Sequence, residues 1–213
     1  MSLETYYRIQ IKDKSGKVEF DSGRRPSHSF VIGFIDILYA ALHAYADYEL
    51  GITYSIQIPD VTNTLRNVMY VMGDELSGTF VNEGWMGVKA EDNDDTYGIV
   101  IGSGTGPESN SNYALSNKIS HGLGAGQFDY QRHNFVNPYT DGNNVELAMS
   151  RDFYNGSGGA IDVKEIGIYA RTTIDTWPIT YAIICIKREL LGATVTVPNQ
   201  KTLTVQFIWR TTI

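Results

Sequence analysis

The chain has 213 residues, 42% hydrophobic and 19% charged, with a formal net charge of −7. That length and apolar content exclude a disordered chain and suit one all-β domain with an ordinary core, or two small ones. The acidic balance removes the electrostatic basis for nucleic-acid binding, since the one basic pair of note is Arg24-Arg25.

In chain order, residues 5–21 predict a hairpin. Tyr7-Arg-Ile-Gln-Ile11 alternates apolar and polar, Lys12-Asp-Lys-Ser-Gly16 turns, and Lys17-Val-Glu-Phe20 alternates again. A helix follows, starting from Pro26 and Ser27 or Ser29 and ending near Asp47, with Phe30, Phe34, Ile37 or Leu38, Ala41 and Tyr45 at helical spacing. Its longest apolar stretch, near Phe30 to Ala46, is interrupted by Asp36 and His43 and is too short to span a bilayer. No secretory signal pattern opens the chain, so a soluble intracellular product with no membrane partner is expected.

Beyond residue 51 the β pattern resumes. Ile52–Ile58 stops at Pro59-Asp60, Asn67–Met72 is a candidate strand, and residues 73–95 read as loops around Trp85-Met86. Thr96–Gly102 runs into a Gly-rich turn, and Tyr113–His121 is a short helix or an extended crossing. Four further strands are predicted over Ala160–Arg171, Tyr181–Lys187, Ala193–Val197 and Lys201–Arg210. The fold class expected is all-β: an antiparallel β-sandwich over residues 51–213, with an N-terminal hairpin and one α-helix over residues 1–50. That N-terminal part is a candidate docking arm, within one continuous domain.

Motifs for chemistry are weak. Gly102-Ser-Gly-Thr-Gly106 lacks the Gly-Lys-Ser/Thr ending of a P-loop, and Pro107 stands where a dinucleotide fingerprint needs its third glycine. It reads as a turn, as do Gly122–Gly126 and Asn155–Gly159. Glu91-Asp-Asn-Asp-Asp95 does not match EF-hand spacing and reads as a solvated acidic loop. No two of His28, His43, His121 and His133 stand at zinc-ligand spacing. Ser27-His28 and Ser120-His121 place nucleophile and base on adjacent residues, which point apart on a strand. The lone Cys185 reads as a core hydrophobe. Trp85, Trp177, Trp209 and tyrosines such as Tyr6, Tyr7, Tyr97, Tyr130, Tyr139 and Tyr154 are candidates for a sugar-binding platform, or simply strand and interface aromatics. No catalytic residue, cofactor site or metal site is expected, and the chain is read as no enzyme.

Several segments resemble structural proteins of tailed bacteriophages. They are Ser29-Phe-Val-x₂-Phe-x₃-Leu-Tyr39, Tyr97–Thr105, Tyr113-Ala-Leu-x₃-Ile119 leading to Gly126, Phe153–Tyr169 and Val195–Val205. Phe153–Tyr169, with its Glu-Ile-Gly-Ile-Tyr169 run, is the most specific and is similar to the sandwich segment of tail-fibre and collar-type proteins. The resemblance implies a non-catalytic virion component. A capsid decoration or auxiliary protein is the first expectation, and a neck or tail adaptor or fibre-attachment protein the second. A carbohydrate-binding host-adhesion module is a third. The partners implied are other virion proteins, a major capsid, neck or tail protein, together with further copies of the chain.

The strand around Val163–Arg171 gives the one sharp site expectation. Lys164, Ile166, Ile168 and Ala170 should face the core. Glu165, Gly167, Tyr169 and Arg171 should face solvent or a neighbouring subunit, with Gly167 leaving a gap for a close approach. Those four residues are the candidate interface.

Overall fold

A computed structural model of the chain describes residues 2–47, 55–69, 86–174 and 180–212. Two antiparallel sheets pack face to face, as an all-β sandwich does. The first, sheet A, has the strand order β2 (Val18–Asp21), β1 (Ser2–Lys12), β11 (Thr202–Thr212), β8 (Asn144–Tyr154) and β7 (Asp129–Asp141). A two-residue strand, β3 (Arg25–Pro26), also pairs with β1. The second, sheet B, runs β10 (Thr180–Val197), β9 (Ile161–Ile174), β5 (Leu65–Met69) and β4 (Ser55–Pro59), with β6 (Gly98–Gly102) on β9.

The N-terminal hairpin forms as the alternation requires, but it is not a detached arm. β1 pairs with β11 in unbroken register from Ser2↔Thr212 to Lys12↔Thr202, which puts it inside sheet A. Alternate residues of β1, Ile9 and Ile11, enter the core beside Leu203, Val205 and Phe207 of β11. A division near residue 50 therefore cuts through the core rather than between units.

The helix, α1 (Ile32–Asp47), starts later than the Pro26-Ser27-Ser29 signals imply. Tertiary pairing claims the intervening residues first. Arg25 and Pro26 pair with Tyr7 and Tyr6 of β1, while Phe30 bridges to Lys187 of β10. The backbone of residues 29–31 thereby closes the free edge of β10, with Arg188 N donating to Ser29 O at 3.1 Å. Phe30 and Phe34 stack at 4.3 Å and present their rings to Trp209 of β11.

β10 joins the expected strands Tyr181–Lys187 and Ala193–Val197 into one, with register shifts at Cys185/Lys187 and Leu190/Val195. Two strands, β7 and β8, have no counterpart among the predicted elements. They form a hairpin across Gly142-Asn143, and β7 is an edge strand whose outer half, Asn134 to Asp141, is exposed. The crossing from Tyr113 to His121 is extended and irregular, lying along β6 through Ile119 N to Ile101 O at 2.9 Å. The expected strand Asn67–Met72 is seen as β5, and its last three residues lie outside the described ones, as do Ile52–Tyr54. Among the described residues, no helix is long and apolar enough to cross a membrane.

Ile166, Ile168 and Ala170 of β9 face sheet A, alongside Ile99 and Ile101 of β6, and all five are fully buried. Ile166→Asp places a carboxylate in that layer, at a cost of several kcal/mol or more. The variant should lose its cooperative denaturant transition, as followed by near-UV circular dichroism.

Candidate functional site

The other face of β9 is where the candidate interface was expected, and the structure corrects it. Glu165, Gly167 and Tyr169 are buried inside the chain, with Glu165 0% and Tyr169 3% exposed. Of the four, Arg171 alone is partly open, its guanidinium lying 4.9 Å from the Tyr97 ring and 5.0 Å from the Tyr181 ring. The physical reason is a third layer: the irregular chain of residues 103–117 folds back over sheet B and covers this face.

That layer is held by one buried ion pair. Arg188 on β10 donates through Nε to Glu165 Oε2 at 2.9 Å, both side chains being within 1% of full burial. The remaining lone pairs of Glu165 accept backbone N–H groups from Gly104 (3.1 Å), Ser116 (3.1 Å) and Asn117 (2.8 Å). The remaining guanidinium donors of Arg188 reach Pro107 O, Gly106 O, Asn112 Oδ1 and Ser116 Oγ at 2.6 to 2.9 Å. Tyr169 adds its phenolic oxygen, which accepts from Leu115 N at 2.7 Å, and burial raises its pKa.

Gly102-Ser-Gly-Thr-Gly106 therefore meets an anion through one amide, that of Gly104, and the anion is the chain's own Glu165. A Cβ at Gly104 would stand 2.4 Å from Glu165 Oε1, so only glycine lets the backbone amide approach. The gap above Gly167 is filled too. A Cβ there would meet Lys187 O at 2.8 Å and Leu115 Cδ2 at 3.0 Å, leaving no room for a neighbouring subunit.

Other ionisable groups are likewise absorbed by the fold, the acidic loop singled out in the sequence among them. Arg151, 1% exposed, crosses the core and gives its five N–H donors to the carbonyls of Glu91, Asp94, Tyr97, Ile99 and Gln131. The acidic loop is shaped by those bonds. Asp92 accepts Arg132 N, Asp94 accepts Thr96 N, and Asp95 accepts His121 N. Among the described residues, no group of three His, Cys, Asp or Glu side chains is arranged to hold a metal ion.

His133 is buried against Gly98, with Ile99 N–H directed at Nε2 (2.7 Å) and Ala90 N–H at Nδ1 (3.2 Å). Burial, then the charge of Arg151, lowers its pKa to about 3, so it is neutral at ordinary pH. His28 is exposed and His121 half-buried, while the side chain of His43 lies outside the described residues. Neither adjacent Ser–His pair is hydrogen-bonded: Ser27 Oγ donates to Glu189 and Ser120 Oγ accepts from Gln127. Cys185 is buried, and burial pushes its thiol up to about 12. Of the aromatic platform, Tyr97 and Tyr130 are in the core, Trp209 packs on Phe30 and Phe34, and Tyr139 is exposed. Trp85 and Trp177 lie outside the described residues.

On the outer face of sheet A, Glu146 is fully buried beneath Arg24, Arg210 and Tyr139. Arg24 binds it through both oxygens, at 2.7 and 3.0 Å. The Arg24 bond, with those of Tyr139 and Arg210, lowers its pKa from 4.5 to about 2.

The accessible surface includes two apolar groups. Phe135, Val136 and Tyr139 on the outer half of β7 and Val145 at the start of β8 are each 37 to 41% exposed. Phe135 and Val145 lie on the core-facing side of sheet A, and Val136 and Tyr139 on its outer side, so both faces of the hairpin end are apolar. On α1, Ile32, Ile35, Leu38 and Tyr39 are 40 to 57% exposed. No protein-family model, curated protein or solved structure matches this chain.

Two outcomes test the buried polar groups. Arg188→Met leaves the Glu165 carboxylate buried without its partner and should cost about 3–5 kcal/mol in urea denaturation. It should also open residues 103–117 to limited proteolysis before the sheets unfold. Glu146 has a depressed folded pKa, so its contribution to stability is complete above about pH 4.5 and lost as pH falls toward 2. Glu146→Gln should therefore be less stable at neutral pH and show a shallower acid decline. Some decline remains, because Asp60 is also held at about 2.

Proposed function

We propose that the chain is a non-enzymatic structural protein that works by protein–protein contact, and specifically a component of a tailed-phage virion. Its most fitting place is the capsid exterior, as a decoration or auxiliary protein made in the host cytoplasm and assembled as a symmetric homo-oligomer on a major capsid protein. A neck or tail adaptor or fibre-attachment protein is the alternative within the same class.

The observation that carries the reading is the β7–β8 hairpin end. An edge strand with apolar side chains exposed on both faces suits a surface completed by a neighbouring molecule. Its edge is guarded against indiscriminate pairing, since Pro138 stands in the register shift between Val136 and Tyr139 and offers no N–H. The buried groups that could have served chemistry also favour a non-catalytic role. Glu165, Arg188, Arg151 and His133 spend their hydrogen bonds on the chain's own backbone. The virion assignment itself rests on the resemblance of the segments within Ser29–Val205.

The test is an association measurement on purified protein, by light scattering with size-exclusion chromatography and by co-sedimentation with virions. The wild type should form a defined oligomer or bind the particle. Val136→Asp combined with Val145→Asp should keep the denaturation midpoint close to wild type while losing that association. A wild type that stays monomeric at high concentration and binds no particle component overturns the reading.

A further inference from the structure

Gly167, Tyr169 and Arg171 lie on one face of β9, two residues apart. Residues 103–117 cover the first two, with Leu115 packed over Gly167 and its N–H bonded to Tyr169, whereas Arg171 is half-buried and open. Its backbone is fixed from both flanks. Arg171 N donates to Gly87 O at 2.8 Å, Gly87 N donates to Arg171 O at 3.1 Å, and β10 sets Ile183 opposite. The guanidinium lies over the Tyr97 ring at 4.9 Å and over the Tyr181 ring at 5.0 Å. Tyr97 is held in turn, 7% exposed with its hydroxyl donating to Lys89 O at 3.1 Å. Tyr181 is 39% exposed, so its ring is the solvent-facing part of this seat.

Aromatic rings answer the faces of a guanidinium, but its five N–H donors lie in its plane and need acceptors there. Among the described residues, no acceptor or carboxylate meets those of Arg171. The other buried and half-buried arginines are all answered. Arg151 has carbonyls, Arg188 has Glu165, Arg8 has Asp21, Arg66 has Asp60 and Arg210 has Glu146. The chain carries 24 acidic side chains against 17 Lys and Arg, so carboxylates are not scarce. Arg171 is thus oriented by its own chain and left with its donor edge unused.

We propose that Arg171, seated on Tyr97 and Tyr181, is a docking point for an acidic side chain, Asp or Glu, of a protein partner. A planar carboxylate matches the guanidinium fork through two parallel hydrogen bonds. Because the rings already orient the fork, less rotamer freedom is lost when those bonds form. Arginine and tyrosine are also the residue types on which binding energy concentrates at protein contacts, and the half-buried Ile183 gives the seat an apolar border. A single guanidinium on a chain of net charge −7 suits a carboxylate better than a phosphate group, which arginine clusters recognise. The inference rests on the reading of the chain as a protein that works by contact. It does not rest on the β7–β8 hairpin end, which belongs to the other sheet.

The probe is acetyl-Gly-Glu-Gly-amide, with acetyl-Gly-Gln-Gly-amide as its uncharged counterpart and inorganic phosphate as a competing anion. Each is titrated into the full chain with arginine side chains nitrogen-15-labelled, and the Arg171 Nε–H resonance is identified by its loss in Arg171→Lys. The expected result is a saturable shift of that resonance with the Glu peptide, and binding weaker by about tenfold or more with the Gln peptide. Arg171→Lys keeps the charge and removes the fork, so it should also lose about tenfold in affinity, read from the amide resonances of residues 86–88. Tyr181→Leu, which frees the guanidinium on its open side, should weaken binding while leaving the thermal midpoint near that of the wild type. Equal binding of the two peptides, an Arg171 resonance that does not move, full affinity in Arg171→Lys, or tighter binding of phosphate would each overturn the proposal. Oligomer and particle association of the wild type, measured separately, reports on the broader reading, so a failure there is told apart from a failure of these titrations.

Discussion

The Glu165–Arg188 pair is the interaction on which the outer half of this structure depends. Residues 103–117 have no ladder of their own, so their backbone donors and acceptors would be left unpaired once pressed against sheet B. The carboxylate takes three of those N–H groups and the guanidinium takes two of the carbonyls, so two side chains do for an irregular segment what a strand does for its neighbour. Desolvating both charges is expensive, and a buried pair adds little net stability over apolar residues of similar volume. What it adds here is order: a loop with few apolar residues is fixed in one path.

The same economy governs the interior between the sheets. Arg151 reaches from sheet A to β6 and Lys187 from sheet B to β1, so each sheet sends a cation across the core to the other. Arg151 is surrounded by carbonyls and by the rings of Tyr130 and Phe153, which stabilise its charge with no direct ion pair among the described residues. Such a site is selective for arginine, whose fork of donors matches several carbonyls at once. His133 shows the opposite solution, remaining neutral where a backbone N–H points at each ring nitrogen.

How legible all this is in the sequence differs from element to element. The C-terminal strands are plain because β-branched and aromatic residues run through them, and the inward set Ile166, Ile168 and Ala170 follows from simple alternation. Lys187-Arg-Glu189 breaks the pattern in the middle of β10, as a charged turn would, yet all three are buried. β7 hides its strand character because its outer half, Asn134–Asp141, has no buried side to impose a period and contains Asn137-Pro138. The signal that was there is Asp141-Gly142, a hairpin dipeptide between two runs of mixed apolar residues. The face of Glu165 and Tyr169 reads as surface because one strand's alternation cannot reveal that a distant, aperiodic loop will cover it. A glutamate two residues before a glycine, on one face of β9, with an arginine in the next strand, is the local trace of that cover.

The pairing of β1 with β11 has a kinetic meaning. β1 leaves the ribosome well before its long partner β11, because almost the whole described chain separates the two. Contacts of such separation pay their loop-closure entropy before they return any stabilisation, which places sheet A among slow, late-forming structures. Until β11 arrives, one long edge of β1 stands open while β2 and β3 guard part of the other. In that interval the newly made strand is a template for any other extended chain, and the outward set Glu4, Arg8, Gln10 and Lys12 keeps one of its faces polar.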